Sequence, residues 1–131
     1  MGRAAAGVTG IRFKKAQDVV VGMDVITKAA KNSELLIVTK KGYGKKTALD
    51  KYRLQRRGGR GIATAKISEK NGEVILGERV DENKKEIIII SRRGQVIRTS
   101  LNQISQQGRS TQGVRVMKLH SGDEVASLTT I

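Results

Sequence analysis

An internal repeat of 52 residues restricts the fold of this chain more than any other feature of its sequence. Residues 35–67 align with residues 87–119 at that shift without a gap. A further copy of the end of the unit opens the chain, where residues 3–13 match residues 57–67 at a shift of 54. Identical pairs include Ile37 and Ile89, Gly42 and Gly94, Thr47 and Thr99, Gln55 and Gln107, Arg57 and Arg109, and Gly61 and Gly113. Repeated sequence predicts repeated structure, so we expect an array of similar units.

Each unit has the pattern of short β-strands. Residues 35–40 and 86–91 are apolar runs rich in β-branched side chains, and each is followed by a basic pair and a glycine that suits a tight hairpin turn. The other predicted strands are residues 43–48, 62–67, 73–80, 95–100, 114–119 and 124–131. Helical periodicity is absent, so we predict an all-β fold. Four antiparallel strands in about 50 residues match one propeller blade, which gives roughly 2.5–3 blades in this chain.

A glycine-containing loop and the strand after it recur three times, and we call each copy a box. The three boxes are residues 1–13, 55–67 and 107–119. Since their spacing is nearly constant, we treat residues 1–131 as a single repeat domain.

The charge is strongly positive and follows the repeat. Lys and Arg number 26 against 12 Asp and Glu, for a formal net charge of +14, which predicts attraction to polyanions. Basic residues cluster at the same two places of each unit, the hairpin turn and the glycine-rich loop. Half of the acids lie between Ser68 and Glu86, so we expect them at a third place. If the units stack or fan round an axis, the two basic clusters form a stripe along one edge.

Several classes of protein and site are excluded or disfavoured. The chain has no cysteine, so neither a disulfide nor a thiolate metal site is possible. The longest apolar run, residues 87–90, is far too short to cross a bilayer, and a soluble, cytoplasmic protein without membrane contact is expected. Aromatic residues make up only 2%, too few for a platform that stacks bases. The single histidine, His120, has no metal-ligand spacing around it, and without a Walker-type loop we expect no metal, nucleotide or other cofactor.

Residues 55–61 form the sharpest motif, with three arginines around a glycine pair. Glycines let backbone amides reach phosphate oxygens, and an arginine guanidinium group can donate two hydrogen bonds to one phosphate. We therefore assign Arg56, Arg57 and Arg60 to phosphate binding, while Gly61 and its counterparts Gly7 and Gly113 serve the conformation of the loop.

This motif resembles the glycine- and arginine-rich box of the C-terminal domain of the DNA gyrase A subunit. Residues 1–7 and 107–113 resemble degenerate boxes of the same family, and the sequences of residues 38–45 and 111–115 are also typical of it. The resemblance implies a β-pinwheel, a ring of propeller-like blades whose outer rim wraps duplex DNA and supports supercoiling. The implied parent is an ATP-dependent type II topoisomerase, whose B subunit and remaining A-subunit domains are the implied partners. This chain resembles the C-terminal half of such a domain, and the related protein of topoisomerase IV is also compatible with it.

The resemblance and the charge pattern together define the candidate DNA-binding residues. They are Gln55, Arg56, Arg57, Gly58, Gly59, Arg60, Gly61, Lys40, Lys41, Lys45, Lys46, Arg92, Arg93, Arg98, Arg109 and Arg3. No catalytic residue is expected, because in the family DNA cleavage belongs to a separate N-terminal region. We expect Tyr43 to pack in its hairpin and Tyr52 to flank the box, and neither to cleave DNA.

Alternative functions are compatible with the composition. The chain could be a basic RNA-binding or ribosome-associated protein, a scaffold for protein interactions, or a free-standing nucleoid-type DNA-binding protein. Because an incomplete ring leaves unpaired strand edges, two copies could also close one pinwheel as a homodimer.

Overall fold

The computed structural model describes residues 4–28 and 32–131, which form seven β-strands. The strands are β1 (Glu34–Thr39), β2 (Tyr43–Ala48), β3 (Val74–Val80), β4 (Glu86–Ser91), β5 (Val96–Ser100), β6 (Val114–Arg115) and β7 (Val125–Thr130). Short 3-10 turns, Leu49–Lys51 and Leu101–Gln103, follow β2 and β5. In this described part of the chain, no helix is long and apolar enough to cross a membrane.

The strands make two antiparallel sheets that repeat the same plan. The first has the order β3-β1-β2-β6, and the second has the order β5-β4-β7. At the 52-residue shift β1, β2 and β3 correspond to β4, β5 and β7, so the all-β repeat predicted from the sequence is confirmed.

Both hairpin turns have the predicted glycine conformation. The amide of Gly42 donates to the carbonyl of Thr39, and that of Gly94 donates to Ser91, each at 3.1 Å. Both glycines have a φ of 87°, in the left-handed region that side-chain-bearing residues avoid. The Thr39 hydroxyl accepts the amide of Tyr43, the first residue of β2, and the Ser91 hydroxyl accepts the amide of Gln95, just before β5. The turns are therefore decided by local sequence.

The fourth strand of the first sheet comes from the following unit, which the sequence did not predict. Residues Val114–Arg115 of β6 pair with Tyr43–Gly44 of β2, so this blade is built from two successive units. The strand predicted at residues 114–119 is limited to these two residues. The one predicted at residues 62–67 does not form, because no hairpin edge of the described residues pairs with it.

The hydrophobic core lies between the two sheets. Leu36 and Val38 of β1 and Ile87 and Ile89 of β4 alternate along their strands and are buried together with Met117. Burying a side chain of this size contributes about 1.5–3 kcal/mol, so the shared core holds the two blades against each other.

Residues 4–28 lie outside this core and contain no strand of either sheet. The carboxylate of Asp24 accepts the amide of Arg79 at 3.0 Å, which places this segment beside β3. Its large apolar side chains are exposed, namely Val8, Ile11, Phe13, Val19, Val20, Val21, Met23, Val25 and Ile26. The part of a third blade expected here therefore has no strand of its own.

Candidate nucleic-acid interface

The second box presents its arginines to solvent. Arg56, Arg57 and Arg60 are exposed, and within residues 4–28 and 32–131 none of the three forms an ion pair. Gln55 beside them is exposed as well, whereas Gly58 and Gly59 are half-buried. The backbone holds the loop in place while the guanidinium groups stay available to an anion.

Successive boxes touch one another through the backbone. The Gly58 amide donates to Gly10 at 2.9 Å, and the Arg12 amide donates to Gly59 at 2.8 Å. At the next junction the Lys66 amide donates to Thr111 at 2.9 Å.

The Arg109 guanidinium reinforces the second junction by donating to the Ala63 carbonyl at 2.9 Å. We call residues 9–12, 55–66 and 107–112 the box row. Hydrogen bonds connect it across three units. Arg3 of the first box lies outside the described residues.

Lys45 is not on this surface, so we withdraw it from the candidate DNA contacts. Its side chain is 1% exposed, and its ammonium donates to the carbonyls of Gly108 (2.8 Å), Arg109 (2.9 Å) and Thr111 (3.0 Å). It also reaches the Thr111 hydroxyl at 3.0 Å, and burial lowers the pKa of the ammonium. At the 52-residue shift Lys45 aligns with Ile97, and this apolar counterpart was a sequence signal that the side chain of residue 45 faces inward.

The glycine at the seventh position of each box has a structural role. Gly7, Gly61 and Gly113 have φ values of 90°, 74° and 82°. At Gly113 an added Cβ would also lie 2.7 Å from the carbonyl oxygen of Gly44. The close approach of the third box to β2 therefore depends on the missing side chain.

The basic hairpin turns form a second line of contacts. The Val125 amide donates to the Lys40 carbonyl, and the Arg92 amide donates to the Glu124 carbonyl, both at 2.8 Å. Residues 124–125 thus connect the two hairpin turns, and we call these two turns together the turn row. Lys41 and Arg93 are exposed on it.

Acidic side chains lie against four of the predicted cations, contrary to the expected separation of charge. The pairs are Lys40 with Glu73 (3.8 Å), Lys46 with Glu34 (3.7 Å), Arg92 with Glu124 (3.4 Å) and Arg98 with Glu86. The pairs of Lys40, Arg92 and Arg98 are partly exposed, and such pairs stabilise by only about 0–1 kcal/mol, so a phosphate can compete for these three cations. They rank below the unpaired arginines of the second box.

Two basic residues near β2 escaped the sequence analysis. The Arg115 guanidinium lies 5.7 Å from the centre of the Tyr43 ring and donates to its hydroxyl at 3.3 Å. The ammonium of Lys70 lies 5.8 Å from the same ring. Tyr43 is 5% exposed, so it packs in its hairpin as predicted, and the Tyr52 hydroxyl bonds Thr64 behind the second box. In the described residues, no three His, Asp or Glu side chains come together as metal ligands would.

Comparison with known proteins agrees with this architecture. The family described as "DNA gyrase C-terminal domain, beta-propeller" matches residues 1–27, 33–80 and 85–131. The gyrase A protein of Staphylococcus epidermidis is 42% identical, and that of Staphylococcus aureus is 41% identical, both over all 131 residues. The chain spans 14% of the length of each of these relatives.

Two solved structures share the fold. A DNA gyrase A C-terminal domain superposes on 95% of this chain with a TM-score of 0.77 and 30% identity, and 41% of that domain is covered. The C-terminal domain of a DNA topoisomerase IV covers 81% of this chain, with a TM-score of 0.70 and 25% identity over 32% of its own length. The repeated sheets, the boxes and these matches agree that this chain belongs to the DNA gyrase C-terminal domain family, whose blades form a β-pinwheel.

Proposed function

We propose that this domain binds duplex DNA through its phosphate backbone, without reading sequence, and bends and wraps it. In this proposal it is the C-terminal module of the gyrase A protein in a gyrase-like type II topoisomerase, and it supports supercoiling. The observation that favours this function most is the continuity of the box row. Three successive boxes touch, at Gly58 and Gly10 and again at Lys66 and Thr111, so the loops that carry their cations lie next to one another.

A continuous row of cations suits a polyanion of regular charge. Duplex DNA has one charge per about 1.7 Å of axis, and binding is favoured chiefly by the release of its counterions. Bending a site of 20–30 base pairs by 40–90° costs on the order of 1–6 kcal/mol, which several phosphate contacts can offset. Contacts of this kind position a duplex but do not distinguish its bases.

The proposed partners follow from the relatives. We propose that the domain works with the remainder of a gyrase A protein and with a gyrase B protein, in the bacterial nucleoid, and that cleavage and ATP hydrolysis belong to those parts. A homodimer would use the outer edge of β5, which pairs with no strand of the described residues and exposes 59% of Val96. Light scattering tests the dimer, and a monomer at high protein concentration contradicts it.

A change in DNA topology tests the wrapping. A nicked plasmid is sealed by ligase in the presence of the protein, and its linking number is then measured. We expect a shift of one sign that grows with protein concentration, and that is smaller for the variant R56A/R57A/R60A. Tight binding without a shift would leave bending and contradict wrapping.

The RNA-binding alternative is tested by direct competition. Duplex DNA and structured RNA of equal length are titrated at the same salt concentration. We expect duplex DNA to bind more tightly, and preference for RNA would contradict the proposed function. Unchanged DNA affinity in R56A/R57A/R60A would favour a protein-interaction scaffold instead.

A further inference from the structure

A cleft lies where the first blade meets the second. Residues 115–124 run from β6 of one sheet to β7 of the other, and Lys41 of the first turn forms the opposite wall of a cavity of about 460 Å³. The Met117 amide donates to Gly42 at 3.1 Å, and the Val125 amide donates to Lys40 at 2.8 Å. The cleft is therefore fixed to both blades and changes shape if they move relative to each other.

Basic side chains from separate segments converge on this cleft. Lys41, Arg115, Lys118 and His120 line it, and all four are exposed. Tyr43 orients the Arg115 guanidinium through its ring and hydroxyl and leaves the other guanidinium N–H groups free. Among the ion pairs of the described residues, neither Arg115 nor Lys118 has an acidic partner.

Two carboxylates also line the cleft, but both have other partners. Glu124 pairs with Arg92 at 3.4 Å, on the second turn. The Oδ1 atom of Asp123 accepts the amides of Arg93 at 3.2 Å and of Glu124 at 2.8 Å, while its buried Oδ2 atom has no hydrogen-bond partner among the described residues. No ion pair of the described residues joins either carboxylate to Lys41, Arg115 or Lys118. The Lys41 ammonium donates one hydrogen bond to the Glu69 carbonyl and has two further N–H groups.

We propose that this cleft binds a phosphodiester group of duplex DNA and so joins the two blades through one ligand. The inference rests on the proposed DNA binding and adds a contact outside the box row. Arg115 would pair with two phosphate oxygens as a fork, while Lys41 and Lys118 supply point charges. The volume falls within the range of about 300–1,000 Å³ seen for small-ligand sites, so a phosphate can enter with its sugar. Because the segment that forms one wall is hydrogen-bonded to the turns of both blades, at Gly42 and at Arg92, an occupied cleft restricts their relative motion.

His120 is the only histidine of the chain, so its imidazole NMR signals report on the cleft alone. The imidazole C–H resonances of the 131-residue protein are followed while a short duplex is added at constant pH. We expect a shift that saturates together with the binding measured by fluorescence anisotropy. Inorganic phosphate at the same ionic strength is the comparison ligand, and we expect it to shift the signals much less.

Paired variants assign the effect to the cleft. R115A/K118A should lose most of the His120 shift, and the slope of log affinity against log salt should fall by about 1–2 units. K84A/K85A removes the same charge from the β3–β4 loop and should keep the His120 shift. Melting curves verify that both variants are folded.

The outcomes separate this inference from the proposed function. Duplex binding with unmoved His120 signals, an equal response to inorganic phosphate, or a full shift in R115A/K118A would each overturn the cleft while DNA binding stands. Absence of any duplex binding would overturn both.

Discussion

The Lys45 ammonium lies 2.8 Å from the carbonyl oxygen of Gly108, although the two residues belong to different units of the repeat. A side chain of the first hairpin thereby holds the loop of the third box. The loop in turn presents Arg109 and contacts residue 63 of the second box, so one buried lysine supports the end of the box row.

Replacing Lys45 by methionine should destabilise the fold without removing a DNA contact. The variant removes the ammonium from three partly buried carbonyls. Gly108 keeps the Thr111 hydroxyl and Thr111 keeps the Lys66 amide, so the Arg109 carbonyl is the one left without a donor, at a cost of about 1–3 kcal/mol. Methionine keeps much of the packing volume and avoids burying a charge. We expect a net loss of about 1–3 kcal/mol in the free energy of unfolding, measured with urea. The salt dependence of DNA affinity should stay that of the parent protein.

The control for this variant is Lys46→Met, at the neighbouring position with an ion pair to Glu34. We expect it to cost less than K45M, because it breaks one ion pair and leaves no backbone carbonyl without a donor. Equal destabilisation by the two variants would contradict the structural role of Lys45. A smaller slope of log affinity against log salt in K45M would show that Lys45 does contact a DNA phosphate.

The arginines of the second box should dominate the salt dependence of binding. In R56A/R57A we expect the slope of log affinity against log salt to fall by about 2 units, because each lost phosphate contact removes roughly one. Affinity should fall alike for duplexes of different sequence. K84A/K85A is the charge-matched control, and an equal effect of the two variants would mean that only net charge matters.

Gly113→Ala should separate the third box from β2. The residue has a φ of 82°, which costs a side-chain-bearing residue about 1–2 kcal/mol, and the new Cβ would lie 2.7 Å from the Gly44 oxygen. With the added crowding we expect a loss of about 2–4 kcal/mol in thermal or urea unfolding. Gly108→Ala is the control, since a Cβ there meets nothing within 4 Å. A similar loss in both variants would argue against this explanation.

Asp123 should make stability depend on pH in the acid range. The Ser91 hydroxyl, together with the amides of Glu124 and Arg93, holds the pKa of its carboxyl below the ordinary value of 3.8. A depressed pKa means that the carboxylate stabilises the fold above pH 3.8, and that this share is lost as the pH falls through the folded-state value. Asp123→Asn should therefore melt lower than the parent protein at neutral pH, and the difference should shrink in acid.

The control for the pH effect is Asp50→Asn, in the exposed turn after β2. We expect its melting temperature at neutral pH to be close to that of the parent protein, because its side chain is exposed and forms no ion pair among the described residues. A difference between D123N and the parent that stays constant into strong acid would contradict the assignment.

Local features were the ones that the sequence predicted well. Six of the eight predicted strands appear within one residue of their expected bounds, and Gly42 and Gly94 turn the hairpins with the expected positive φ. Strand alternation and turn chemistry depend on neighbours in the chain, and the repeat supplied two copies of each pattern for comparison.

Contacts between units were decided by the tertiary structure. Nothing in residues 114–119 indicates that only Val114 and Arg115 form a strand, paired with β2 of the preceding unit. The edge of β2 with which they pair is far away in the sequence. The burial of Lys45 beside the partly exposed Lys46 follows from the box that covers one face of the strand. The pairing of Glu73 with Lys40 likewise joins two segments that lie far apart in the sequence.

The sequence by itself determined the repeat, the all-β class, the positions of the hairpins and the basic composition of the boxes, since each depends on local pattern or on composition. Only the tertiary structure decided which cations stay free. Burial, ion pairing and contact between boxes arise where distant segments meet, and they left Arg56, Arg57 and Arg60 unpaired on a continuous row while enclosing Lys45 beneath it.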